Sequence, residues 1–143
     1  MLVAARGVFA ANGYAGTSVD DLVQALNLHR GSLYKAFGSK RGLFLAVLTD
    51  DVTAGVPAAL VRGDDLVATG ALDLILVAAA DLGPNDPEVA ALVQDACHLI
   101  RTSSPRHPRA ESTDVAVAVL GGRLLARMTA LHDAPDSPAV QPV

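Results

Sequence analysis

The sequence predicts an all-α chain in two parts, a helix-turn-helix unit at the N-terminus and a second helical part after it. Three observations carry that expectation. Apolar residues recur at helical spacing in successive stretches, as in Val19, Leu22, Val23 and Leu26. Residues that end helices, Asn27, Gly38 and Gly83-Pro84, fall between those stretches. Charge and aromatic content also change abruptly near Thr49. Five basic residues stand against two acidic ones before Asp50 and six against thirteen from there on, so that +3 and −7 sum to the formal −4. All the aromatics, Phe9, Tyr14, Tyr34, Phe37 and Phe44, lie on the basic side.

The first helix places Leu2, Ala5, Val8 and Phe9 on one face. Asn12, Gly13 and Tyr14 end it, with Gly13 in the left-handed cap position and Tyr14 folding back on the last turn. Thr17 and Ser18 then offer capping hydroxyls, each with an aspartate three residues on, Asp20 and Asp21, an acidic form of the capping box. Asn27 stops this second helix, because it tolerates left-handed backbone. Leu28 plugs the turn, and Arg30 to Ala36 form a short third helix with Leu33 and Phe37 facing inward. What faces outward is a guanidinium, a hydroxyl, a phenol and an ammonium: Arg30, Ser32, Tyr34 and Lys35. Gly31 among them allows close backbone approach, and the set suits phosphates and base edges. Gly38 and Ser39 separate this helix from a fourth, striped by Leu43, Phe44, Val47 and Leu48. Lys40 and Arg41 oppose the dipole at its start, a misfit that a phosphate there would relieve.

Beyond Asp51, Gly55, Pro57 and Gly63 indicate a broken region. A helix is expected from about Gly70 to Leu82 with Leu72, Ile75, Leu76, Ala79 and Leu82 on its buried face, ended by Gly83-Pro84. Asp86 caps the next, with Pro87 at its first position, Glu88 in its first turn and Val89, Val93, Ala96 and Ile100 buried. His98 falls on the opposite side and Cys97 at the edge of the stripe. Ser103 to Arg109 reads as a loop. Between about Ser112 and Leu131 a last helix is apolar on two faces. One carries Val117, Leu120, Leu124, Met128 and Leu131, and the other carries Val115, Ala118, Val119, Gly122 and Ala126. A helix apolar on both sides needs a second cover, and a homodimer partner on the Val115, Ala118, Val119, Gly122 and Ala126 face supplies it. The tail from Ala134 is proline-rich and expected to be disordered.

The segment FAANGYAGTSVDDLVQALNLHRGSLYKAFGSKRGLFLAVL resembles the DNA-binding domain of the TetR family of one-component transcriptional regulators. The likeness covers roughly residues 1 to 49. It rests on a phenylalanine, a Gly-Tyr, a Thr/Ser-capped helix and a recognition segment ending in Phe and Ser-Lys. It implies that Thr17, Ser18, Tyr34 and Lys40 contact phosphates, that Arg30, Ser32 and Lys35 face base edges and that Gly31 permits close approach. Asn27, His29, Ala36 and Gly42 depart from the family pattern. GALDLILVAAADLGPNDPEVAALV and GGRLLARMTA resemble, more weakly, segments of the family's ligand domain.

The resemblance therefore implies an all-α protein. It has an N-terminal helix-turn-helix DNA-binding domain over residues 1–49, a shortened helical ligand and dimerisation domain over 50–133 and a tail over 134–143. Met1 falls inside the family's first helix and the proline-rich tail replaces its last. Two readings follow. The chain is a dimeric repressor on a double-stranded DNA operator, released by a small apolar ligand. Alternatively it is a truncated regulator that has lost DNA affinity and pairs with a full-length relative. The ligand pocket is expected from Leu72, Ile75, Leu76, Val89, Val93, Ile100, Leu124 and Met128. With no aromatic wall it suits an aliphatic, neutral molecule. No P-loop, Gly-x-Ser-x-Gly elbow, His-Glu-x-x-His or cysteine pair is present. Neither an enzyme nor a metal or other cofactor is expected. One cysteine, no leader and no uninterrupted apolar span point to a cytoplasmic protein away from membranes.

Overall fold

The computed structural model describes residues 1–63 and 71–103, which belong to a compact unit running from Met1 to Ala110. Among the described residues every regular element is helical: α1 (Leu2–Gly16), α2 (Val19–Leu26), α3 (Arg30–Phe37), α4 (Lys40–Asp50), α5 (Val56–Arg62), α6 (Ala71–Val77) and α7 (Pro87–Ser103). The expected all-α class is therefore what the chain adopts. The 103–109 loop beyond Ser103, the helix over 112–131 and the tail from 134 lie outside the described residues. So do the pocket positions Leu124 and Met128 and the interface positions Val115, Ala118, Val119, Gly122 and Ala126.

Helix α1 packs against α2, α4 and α6, and its buried residues are Ala5, Phe9 and Gly13. Gly13 has φ 74° and ψ 170°, the left-handed break that lets Tyr14 turn back. The Tyr14 ring meets Phe44 edge-on at 5.2 Å, and Phe44 meets Phe9 edge-on at 5.0 Å. These three rings and the buried Leu22, Leu33, Leu43, Val47 and Leu48 form the core beneath α2 and α3. Asn27 ends α2 in left-handed backbone at φ 50°, and Gly38 ends α3 at φ 73°.

The fourth helix does not break at Gly55 or Pro57, as the sequence suggested. Lys40–Arg62 is one helix of 23 residues, long and apolar enough to cross a membrane by length and composition. Here its apolar side instead covers the protein core, with Leu43, Phe44, Val47, Leu48, Val52, Val56 and Ala59 all buried. A wider π-helical turn, Asp51–Gly55, with Val56 N–H bonded to Asp51 O, joins α4 to α5. Pro57 follows at once. A proline ring crowds the carbonyl four residues back and lacks the N–H of an α-helix, and the widened turn accommodates both defects. The expected 49/50 boundary thus falls inside a continuous helix. Gly63 is the actual end, at φ 71°.

A second π-helical turn, Ala78–Leu82, follows α6. The buried set across α6 and the start of this turn is Leu72, Leu74, Ile75, Val77 and Ala78. Leu76 is half-buried; within the turn Ala79 is exposed and Leu82 half-buried, because a constant period cannot anticipate an inserted residue. Helix α7 begins as expected: the Asp86 carboxylate accepts from Glu88 N at 3.2 Å and Val89 N at 3.3 Å. Val89 and Ala96 are buried, whereas Val93, Cys97 and Ile100 are half-buried. His98 is exposed, its Nδ1 3.3 Å from the Arg101 guanidinium.

Candidate nucleic-acid interface

The helix-turn-helix is fixed first by its caps. Ser18 Oγ accepts from Asp21 N at 3.1 Å, and Asp21 Oδ2 accepts from Ser18 N at 2.8 Å, which closes the capping box. The Ser18 amide, and then its hydroxyl, hold the Asp21 carboxyl below the usual carboxylate range. Thr17 is not the cap. It is buried, and its hydroxyl donates 2.6 Å to Gly13 O, tying the α1–α2 turn to the glycine break.

Helix α3 follows His29 at its N-cap, whose ring makes no capping bond, and turns Leu33 into the core. Its other side is open. Arg30, Gly31, Ser32, Tyr34, Lys35 and Ala36 are all exposed, Tyr34 to 44%. A Cβ added to Gly31 would meet nothing within 4 Å, so the protein's own packing does not demand glycine there. Arg30 Nη2 donates 2.5 Å to Asp20 Oδ1 across the turn, and this bond raises the Arg30 pKa further. Chemically, the face holds two cations, a hydroxyl and a phenol over a short helix. That set can meet phosphate oxygens and base-edge acceptors together.

Of the expected contacts, Ser18, Arg30, Gly31, Ser32, Tyr34 and Lys35 are exposed, whereas Thr17 and Lys40 turn inward. Lys40 Nζ donates to Tyr14 O at 3.0 Å and Thr17 O at 2.9 Å, and stands 4.3 Å over the Tyr14 ring. Arg41 is likewise engaged within the chain. It forms two bonds to Asp86, at 2.7 and 2.9 Å, and one to Glu88 at 2.9 Å. The basic start of α4, expected to await a phosphate, is therefore matched by carbonyls and carboxylates of the same chain. Arg41 holds the Asp86 carboxyl below its ordinary range, and Asp86 and then Glu88 raise the Arg41 pKa. Burial pushes the neighbouring Tyr14 phenol up. A third link comes from the π-helical turn, where Asp81 Oδ2 accepts from Tyr14 N at 2.7 Å. Nothing in the sequence signals the pairings of Asp20 with Arg30, Asp81 with Tyr14 and Asp86 with Arg41, because each spans at least ten positions and no local pattern records it.

Gly42 fixes the angle between α3 and α4. A Cβ there would lie 2.0 Å from Phe37 O, a backbone atom with little freedom to yield. Gly42→Ala is expected to cost about 1–3 kcal/mol, or more if α3 must move. Urea unfolding with tyrosine fluorescence would measure it, and a wild-type midpoint would show that the two helices separate freely.

Of the expected pocket residues, Leu72, Ile75 and Val89 are buried and Leu76, Val93 and Ile100 are half-buried. Among the described residues no group of His, Cys, Asp and Glu is placed to hold a metal ion.

The sequence model of the bacterial regulatory proteins, tetR family, matches residues 1–47, the stretch that contains α1, α2, α3 and the start of α4. Residues 1–47 form a TetR-family domain. An HTH-type transcriptional regulator of Bacillus subtilis, YezE, is 34% identical over 104 residues, covering 71% of this chain and 50% of that one. The HTH-type transcriptional repressor BdcR of Escherichia coli is 33% identical over 97 residues, 66% of this chain and 49% of its own. The repressor AcnR of Corynebacterium glutamicum is 41% identical over 51 residues, 36% of this chain and 27% of its own. This chain thus spans about half the length, or less, of these TetR-type relatives. No solved structure matches it.

Proposed function

We propose that the chain is a cytoplasmic, non-enzymatic, sequence-specific DNA-binding transcriptional regulator. In this reading it acts as a homodimeric repressor released by a small apolar ligand. The exposed face of α3 carries the proposal: Arg30, Gly31, Ser32, Tyr34 and Lys35 stand clear of the core that Leu33 enters. Ser18 at the exposed start of α2 adds a hydroxyl for a phosphate oxygen. Two of the relatives above are named as repressors, which supports the direction of control. Three acids of the second half, Asp81, Asp86 and Glu88, are turned to backbone amides or Arg41 of the same chain.

The same three acids support a route for release. They tie the Tyr14 turn and the start of α4 to the α6–α7 corner, and of the proposed pocket residues Leu72 and Ile75 are on α6 and Val89 is on α7. An aliphatic ligand wedged among those residues would shift that corner and with it the turn beneath the reading helices.

A gel shift with DNA from upstream of the protein's own gene tests the reading. A discrete complex that survives excess unrelated duplex is expected. Absence of any complex, with stable pairing to a full-length relative, would instead favour a regulator that acts by heterodimerisation. Two half-sites about 34–36 Å apart require two recognition helices on one frame. Gly122→Glu, on the proposed Val115, Ala118, Val119, Gly122 and Ala126 face, is therefore expected to give folded monomers in sedimentation. A dimer unaffected by that charge would place the interface elsewhere.

A further inference from the structure

We propose that Asp20 is a specificity-determining positioning residue: it holds the Arg30 guanidinium in one pose, so that Arg30 meets a base edge and not the nearest phosphate. The inference rests on the DNA-binding reading above. Asp20 stands in the first turn of α2 and Arg30 opens α3, and Arg30 Nη2 donates 2.5 Å to Asp20 Oδ1. Their side chains are 76% and 55% exposed, so the pair contributes little to the stability of the free protein. Asp20 is not needed as a cap either, because Asp21 and Ser18 already close the capping box.

The position of the carboxylate is the informative feature. It lies beside Arg30, which leads directly into the exposed Gly31, Ser32 and Lys35, on a surface that otherwise suits a polyanion. A surface shaped for affinity alone would carry no acid there, because the acid repels phosphate. Discrimination has a different requirement. A guanidinium presents five donors in a rigid fork, so binding Asp20 through Nη2 leaves other donors for an acceptor pair on a base. The tether also removes rotamer freedom from a long side chain before it docks. Once DNA covers the pair, loss of solvent strengthens it. One carboxylate thus weakens general affinity and sharpens sequence choice.

Those opposite signs make the role testable with the full chain. Wild type and Asp20→Asn are each taken through selection from a randomised duplex library. Binding to the selected site and to bulk duplex is then measured over a salt series. Asp20→Asn is expected to bind bulk duplex more tightly, with a salt slope steeper by about one. The ratio of selected-site to bulk affinity is expected to fall about ten-fold. Asp20→Glu should recover part of that ratio, and in an Arg30→Ala background Asp20→Asn should leave it unchanged. If wild type enriches no sequence, the DNA-binding reading fails and this inference with it. If wild type enriches a site and Asp20→Asn keeps the same ratio, DNA binding stands and the role of Asp20 is overturned. A lowered melting temperature with that same ratio also overturns it, leaving a helix-end charge.

Discussion

Arg6→Ala is expected to destabilise the N-terminal unit by about 3–5 kcal/mol, the cost of leaving a buried charge without its partner. Asp51, at the start of the first π-helical turn, is fully buried, and the Arg6 guanidinium of α1 pairs with it. Neither Asp51 carboxylate oxygen has a separate hydrogen-bond partner among the described residues, so Arg6 carries the whole neutralising role. Gly55 keeps the space open: a Cβ there would lie 3.1 Å from Asp51 Oδ1 and 3.5 Å from Arg6 Nη2. Chemical unfolding of the single variant should show the loss. Arg6→Met with Asp51→Leu, which removes both charges and fills the volume, should recover most of it. A single variant as stable as wild type would mean that water reaches Asp51.

The double replacement Arg30→Ala, Lys35→Ala is expected to lower affinity for a selected site about a hundred-fold or more, since each base contact is worth about 1–3 kcal/mol. Both side chains are exposed on α3 and neither enters the core, so the melting temperature should stay near that of wild type. Fluorescence anisotropy on a selected duplex reads the first effect and thermal unfolding the second. Equal binding by the two proteins would remove α3 as the reading element. Lys40→Ala should behave differently. Its ammonium holds Tyr14 O and Thr17 O, so the expected loss is in stability of the turn beneath α2, with little change in salt slope.

The N-terminal half was legible because its signals are local. Ser18 with Asp21, Asn27, Gly38 and Ser39 are caps whose partners lie within a few residues, and the structure shows each in use. The stripes of Leu22 and of Leu43, Phe44, Val47 and Leu48 are buried as their spacing requires. The partners of Lys40 and Arg41 within the chain were not legible, for the opposite reason. Their partners, Thr17 O and Asp86, lie 23 and 45 residues away, and only the fold brings them together. Two π-helical turns were equally invisible, since a constant 3.6-residue period cannot report an added residue. Pro57 was the one local sign of the first, and it pointed to a break instead. Gly42 had no rationale in the sequence, which does not reveal that Phe37 O fills the place of its side chain.

The central claim is that the outer face of α3 reads DNA. Titrating isotope-labelled protein with a selected duplex and following its amide resonances tests this most directly. The account predicts perturbations concentrated at Ser18, Asp20 and Arg30 to Ala36, with smaller changes at Tyr14 and Arg41 behind them. Perturbations centred on α5 or α7, or none at a concentration of duplex that saturates a gel shift, would contradict it.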